Sequence, residues 1–164
     1  MRAFASGLSE VPECVYGCVW GGGVCYRPFS GYGEDQDDTY PFPSICKRAI
    51  AEYGQPVLNV WGTGDQMRDF IYIDDCVDGV LKTMDQIDNG KAINLSTGIY
   101  TSFKEFARTA ADVCGYQPDV VGLADKPSGV FARGGDTTKQ KRLGFEYNIP
   151  FREGIAKAIE WYAF

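Results

Sequence analysis

The sequence predicts an α/β domain built from short strands and about five helices. Three observations carry that prediction. Short runs rich in β-branched and aromatic residues alternate with stretches whose apolar residues recur at helical spacing, the helical stretches have recognisable starts or stops, and Gly or Pro mark the joints. Apolar residues make up 45% of the 164 positions and aromatics 14%, enough for one packed domain. A formal charge of −6, from 16 Lys+Arg against 22 Asp+Glu, argues against a nucleic-acid binder, whose affinity for a phosphate backbone comes from clustered cations. The chain has no His, which excludes Ser-His and Cys-His triads and His-based metal sites. No apolar run approaches the roughly 20 residues of a membrane span. Residues 1–25 also lack the basic flank and leucine-rich stretch of a secretory signal, so the expected setting is cytoplasmic, without a membrane.

Taken in order, residues 1–23 show no sustained period and are expected to form an irregular N-terminal segment, with Gly21-Gly22-Gly23 interrupting it; the domain itself is expected over 24–164. Val24 to Tyr26 reads as a short strand ending near Pro28, and Ser30-Gly31-Tyr32-Gly33 as a turn. Glu34 to Asp38 lacks the glycine and final glutamate of a calcium loop and reads as a solvated acidic loop. A helix is expected from Pro43-Ser44 to about Tyr53, stopped by Gly54. Val57 to Trp61 and Arg68 to Ile73 read as strands, the second followed by a helix capped by Asp74 or Asp75, with Val77, Val80, Leu81, Met84 and Ile87 at helical spacing. Ala92 to Leu95 is the next strand. Ser102-Phe103-Lys104-Glu105 is a capping box opening a helix with Phe103, Phe106, Ala107, Ala110 and Val113 on one face. Asp119 to Gly122 reads as a strand, Lys126 to Gly135 as a loop, Asp136 as the cap of a short helix, and Phe151, Ile155, Ile159 and Tyr162 as the inner face of a last helix. Six cysteines occur without a C-x2-C pair and read as buried free thiols, with no metal site.

Several stretches together resemble the C-terminal half of the NAD(P)-dependent epimerase/dehydratase family, the extended short-chain dehydrogenases that act on nucleotide-sugars. Arg27-Pro28-Phe29-Ser30-Gly31-Tyr32-Gly33 resembles R-P-x-N-x-Y-G, and the run from Gly62-Thr63-Gly64 through Arg68-Asp69-Phe70 to Asp74-Asp75 resembles G-x-G-x-x-x-R-D-[FW]-[IL]-x-V-x-D. Asn94 to Gly98, Lys126 to Gly129 before Asp136-Thr137, Leu143-Gly144-Phe145 and Glu153-Gly154-Ile155 follow in the family's order. The Lys126-Pro127 loop is most similar to the GDP-sugar branch. The resemblance implies a substrate-binding domain together with the last strands of the dinucleotide fold. It also implies that the family's NAD or NADP is not bound by this chain alone, because neither a G-x-x-G-x-x-G turn nor a helical Tyr-x-x-x-Lys pair is found. Tyr100 has Lys104 four residues on, but the Ser102 cap separates them. The whole is similar to a truncated or recombined member.

In the family this half grips the nucleotide diphosphate of the sugar, a task for planar bidentate donors on rigid elements. The resemblance assigns that role to Arg68 and Arg133, with a surface ion pair from Arg68 to Asp69 or Asp75 as the alternative. Asn59 and Trp61 lie on the strand similar to the one lining the base pocket, although Trp61 equally suits a core. Ser30 stands where the family has an Asn touching the sugar or its phosphate, and Lys126 where some members carry a phosphate-reaching Arg. No residue is nominated as catalytic. The expected function is nucleotide-sugar binding without chemistry of its own. The partner is either a separate dinucleotide-binding half or, for a purely structural module, further copies in a homo-oligomer.

Overall fold

Backbone pairing begins earlier in the chain than its composition suggests. The structure is a computed structural model that describes residues 15–19, 22–87 and 90–163. In chain order its elements are β1 (Val15–Val19), β2 (Gly22–Pro28), β3 (Gly31–Tyr32), α1 (Pro41–Ala51), β4 (Val57–Trp61), β5 (Met67–Asp69), β6 (Ile71–Tyr72) and α2 (Ile73–Thr83). After a single 3₁₀ turn, Met84–Gln86, come β7 (Ala92–Leu95), β8 (Tyr100–Ser102), α3 (Phe103–Val113), β9 (Asp119–Leu123), β10 (Ala132–Arg133), α4 (Thr138–Arg142) and α5 (Phe151–Ala163). The α/β expectation with five helices holds.

The irregular reading of residues 1–23 is corrected where the chain is described. Residues 15–19 and 22–23 are strand, in an antiparallel hairpin that sets Val15 opposite Tyr26 and Val19 opposite Gly22. Glycine and the lack of alternation hide such a strand in the sequence, because strand formation depends on the neighbour it pairs with more than on intrinsic preference. Here the neighbour is β2, held on its other edge by parallel pairing to β7. Residues 1–14 lie outside the described residues. The expected loop 126–135 likewise contains a short strand, β10, parallel to β5, while β8 flanks β5 on the other side in antiparallel register. Two further parallel pairs, β3 with β6 and β4 with β9, complete the sheets.

Helices α1, α3 and α5 enclose one core with an aromatic stack at its centre. Phe70 lies face to face with Phe151 at 4.5 Å, and Phe42 with Phe106 at 5.1 Å. The stack is tight enough that α5 passes Tyr32 at a glycine: a Cβ on Gly154 would fall 2.1 Å from the Tyr32 hydroxyl. A smaller core gathers Tyr26, Ile71, Ile93, Leu95 and Phe145 between β2, β7 and α2. Helix α1 starts at Pro41 rather than Pro43, since a proline lacking an N–H suits the first turn. Ser102 caps α3 as expected, its hydroxyl accepting from the Glu105 amide at 3.1 Å.

Helix α2 departs most from expectation. Neither Asp74 nor Asp75 caps it; the cap residue is Tyr72. The buried Asp75 carboxylate instead accepts the amides of Asn148 and Ile149 at 2.8 and 3.0 Å, tying the start of α5 to α2. The side that α2 buries carries Asp75, Cys76, Gly79 and Thr83, and a Cβ on Gly79 would meet Leu95 at 2.7 Å. Of the apolar residues at helical spacing, Val80 and Ile87 reach the smaller core, whereas Val77, Leu81 and Met84 remain exposed. Asp136 does serve α4, accepting from the Thr138 amide and hydroxyl, although Thr137 occupies the cap position. Of the cysteines, Cys46 and Cys76 are buried and Cys25 and Cys114 partly so; Cys14 and the side chain of Cys18 lie outside the described residues.

The two cores are joined through Asp69, which is fully buried. Its carboxylate accepts from the Ser96 hydroxyl, from the Thr97 amide and hydroxyl at 2.9 and 2.7 Å, and from the Gly98 amide at 2.9 Å. Asp69→Ala strands these donors in a dry interior and is expected to lower the unfolding free energy by about 3 kcal/mol in a urea titration.

A second expectation concerns alkaline stability. Burial raises the Tyr32 and Tyr72 phenols far above their ordinary value and pushes Tyr162 up to about 12; Asp75 adds to the shift of Tyr32 and the bond to Glu34 to that of Tyr72. The native state therefore favours the neutral phenols. Their contribution to stability is complete below the unfolded-state pKa of about 10 and is lost as pH rises through the folded values. In an ultraviolet titration these tyrosines should ionise only as the fold is lost.

Candidate functional site

The strand Met67–Asp69 sorts its side chains by parity. Asp69 points into the interior, so Arg68, one residue earlier, emerges on the opposite face. Pairing with β10 sets Arg133 directly beside Arg68, which brings two guanidinium groups to one face of a three-stranded sheet. Arg68 is held in place by the protein. Its Nη1 donates to the carbonyls of Met67 at 2.7 Å and Val130 at 2.8 Å, and its Cζ lies 5.3 Å from the centroid of the Phe103 ring. Gln66, itself buried, donates to Ser128 O at 3.1 Å and clamps the loop before β10 against the sheet.

These elements wall a cleft of about 480 Å³. Arg27 lines it from β2, and Phe29, Ser30 and Gln36 from the β2–β3 turn and the loop after β3. Tyr40 and Phe42 line it from the start of α1, and Arg68, Phe70, Phe103, Val130 and Arg133 from the opposite wall. Among the described residues no Asp or Glu lines it, although the chain as a whole carries −6. Neither Arg68 nor Arg133 makes an ion pair among the described residues. The proposed partners of Arg68 are occupied elsewhere, Asp69 by the 96–98 turn and Asp75 by Asn148 and Ile149. Burial, and then the adjacent Arg133 charge, lower the Arg68 pKa from its usual value. Two like charges in register destabilise a sheet unless something else neutralises them. A cleft with paired guanidiniums, no carboxylate and several aromatic faces is built to take an anion attached to a planar or apolar group.

Of the six residues nominated from the sequence, the cleft unites Arg68, Arg133 and Ser30. Asn59, Trp61 and Lys126 lie instead around the β4–β9 pair. Asn59 is half-buried and its carbonyl accepts from Arg48 Nη1 at 2.6 Å. Trp61 is 55% exposed, on the opposite face of β4 from the buried Leu58 and Val60, so it is not a core residue. Lys126 is exposed beside Asp125 at 4.0 Å, in the turn closed by its amide on Leu123 O. This group still borders the cleft through the chain: a Cβ on Gly62, next to Trp61, would lie 2.9 Å from Ser128, and the following Gly129 and Val130 line the cleft. The sequence reading passed over Arg27 and Tyr40 as site residues. The one available signal was the place of Arg27 immediately before Pro28, at the end of a strand.

Tyr100 and Lys104 are on different elements, as the intervening cap implies. Tyr100 is on β8 against Gly134, while Lys104 in α3 pairs with Asp65 at 2.9 Å. Gly22 lies inside a strand rather than in a strand-to-helix turn, and α2, which follows a strand directly, carries Asp74 and Asp75 in its first turn, which repel a phosphate.

Ser30 occupies a left-handed backbone conformation, φ 39°, the one non-glycine positive φ among the described residues. Asn tolerates this region better than Ser. Ser30→Asn is therefore expected to raise the unfolding free energy by about 0.5 kcal/mol, read as a higher melting temperature.

The chain is similar to several known proteins. Residues 22–96 match the model of the NAD dependent epimerase/dehydratase family. A probable GDP-L-fucose synthase 1 of Oryza sativa subsp. japonica is 31% identical over 147 residues, which are 85% of this chain and 44% of that protein. Among solved structures, UDP-glucose 4-epimerase of Thermotoga maritima with UDP-glucose superposes at a TM-score of 0.73 with 26% identity, over 85% of this chain and 45% of the other. MoeE5 in complex with UDP-glucose and NAD gives 0.71 with 27% identity, over 85% and 46%. The chain thus spans about half the length of the relatives it matches, consistent with a C-terminal half.

Proposed function

From the kinship of this chain with the NAD dependent epimerase/dehydratase family, we propose that it binds a nucleoside diphosphate-sugar in the arginine-lined cleft and performs no chemistry on its own. The observation that carries this reading is the pair Arg68 and Arg133, side by side in register and unneutralised by any acidic residue of the cleft. A diphosphate offers two charges to two guanidiniums, and each planar fork can grip it with paired hydrogen bonds. Ser30 faces the sugar, and Asn59, Trp61 and Lys126, adjoining through the 128–130 loop, serve the base side. Binding is expected in the range of about −4 to −6 kcal/mol, tens of micromolar to millimolar. NAD or NADP belongs to a separate dinucleotide-binding half, whose arrival would complete the cleft. No helix among the described residues is long and apolar enough to cross a membrane, and we place the protein in the cytoplasm.

A second reading rests on the exposed stripe of α2. Ile73, Val77 and Leu81 line an apolar groove of about 850 Å³ with Trp161 of α5. Apolar faces of this kind are generally covered. A non-catalytic module that pairs through this face would be a homo-oligomer with no use for the cleft.

A thermal-shift panel of GDP-, UDP-, CDP- and dTDP-sugars separates the two. GDP- or UDP-sugars should raise the melting temperature of the wild-type chain, and Arg68→Ala should abolish the rise without changing the elution volume in gel filtration. An oligomer that shows no shift at millimolar ligand would favour the structural module.

A further inference from the structure

The groove along α2 is the electrostatic opposite of the cleft. Pro28, Gly31 and Gln36 line both. The cleft holds arginines and no carboxylate, whereas the groove is lined by Glu34 and Asp35 and, among the described residues, by no Lys or Arg. An adjoining hollow of about 500 Å³, which has Glu34 and Trp161 in common with the groove, adds Glu160 and Lys157. Lys157 is already engaged, lying 3.9 Å from Glu153 and 5.0 Å from the centroid of the Tyr72 ring. Glu34 accepts from the Tyr72 hydroxyl, and neither it nor Asp35 nor Glu160 makes an ion pair among the described residues. The rim of the groove thus carries negative charge that its own surroundings do not neutralise.

Shape and charge together select the occupant. Ile73, Val77 and Leu81 follow one another four residues apart, an apolar ridge about 12 Å long. Leu81 and Trp161 are each 62% exposed. A ridge of this length matches two turns of a second helix that presents apolar anchors at the same spacing. An anionic ligand is repelled by the rim. An uncharged one would shield the rim carboxylates from water without pairing them, which is costly. A second copy pairing through this face would set the same acidic rim against itself, in a chain that already carries −6. We propose that the groove docks an amphipathic, cationic helix of another protein, its apolar residues seated along α2 beside Trp161 and its Lys or Arg residues paired with Glu34, Asp35 and Glu160. The diphosphate reading of the cleft is independent of this docking.

The probe is a synthetic helical peptide with leucines at i, i+4 and i+8 and lysines on both flanks, and its control carries glutamates in place of the lysines. In fluorescence anisotropy with the full chain, the lysine peptide should bind about tenfold more tightly than the glutamate peptide, the combined yield of three exposed charge pairs. That preference should shrink as added salt screens the pairs. Leu81→Ser should weaken the lysine peptide about tenfold by removing an apolar anchor. The double variant Asp35→Lys, Glu160→Lys should reverse the preference toward the glutamate peptide. All three side chains are exposed, so the variants keep the fold, which circular dichroism confirms. Failure of the lysine peptide to bind the folded wild type at millimolar concentration would overturn the proposal. So would binding that either variant leaves unaltered, since the peptide would then be drawn to an acidic protein at large rather than to this groove. A dimer in gel filtration that Leu81→Ser dissociates and the lysine peptide does not displace would overturn it in favour of a second copy.

Discussion

The arrangement of this protein depends on one buried carboxylate. Asp69 draws the turn 96–98 onto β5 through two backbone amides and two hydroxyls. The same turn is held from its other side by Gln140, whose side chain accepts from the Ser96 amide at 3.0 Å and donates to the Ser96 carbonyl at 2.8 Å. Ser96 also engages Gly135, so α4 and the chain leading to it are drawn into the same network. A carboxyl group in a dry interior is tolerable only when its hydrogen bonds are met. Its satisfaction here couples the strand between β10 and β8 to the end of β7, and with it the larger core to the smaller.

The cleft follows from that constraint. Because successive side chains alternate across a strand, burying Asp69 commits Arg68 to the other face. The registers of β10 and the 128–131 loop then decide what stands beside it. Val130 O takes one guanidinium nitrogen, Phe131 O accepts from the Met67 amide at 2.7 Å, and Arg133 arrives in register. The cleft-facing Arg68 is thus aimed by its buried neighbour and held by backbone carbonyls rather than by a carboxylate. That leaves its charge available in the cleft. A surface ion pair, the ordinary fate of an arginine next to an aspartate in sequence, is prevented by geometry.

The orientation of α2 shows a different balance. Its inner side consists of small and polar residues because Gly79 allows Leu95 and Phe145 to approach and Asp75 binds the chain entering α5. The apolar stripe is consequently turned outward beside Trp161. Helical spacing alone would have sent that stripe to the core.

What the sequence by itself determined is local: the helices with clear starts or stops, the strands Val57 to Trp61 and Ala92 to Leu95, and the motif around Arg68-Asp69-Phe70. In each, the signal is a period or a cap within a few residues, and short-range sterics and hydrogen bonding decide the outcome. Tertiary structure alone decided the β1–β2 hairpin, the strand β10, the outward face of α2 and the membership of the cleft. Arg27, Tyr40, Arg68 and Arg133 are distant in the chain and meet only because strands pair in register and the two cores are joined at Asp69. Ser30 lines the cleft, whereas Asn59, Trp61 and Lys126 stand around the neighbouring β4–β9 pair. A residue's chemistry is legible from its type and its neighbours. Its company in space depends on pairings between segments tens of residues apart, which no local pattern encodes.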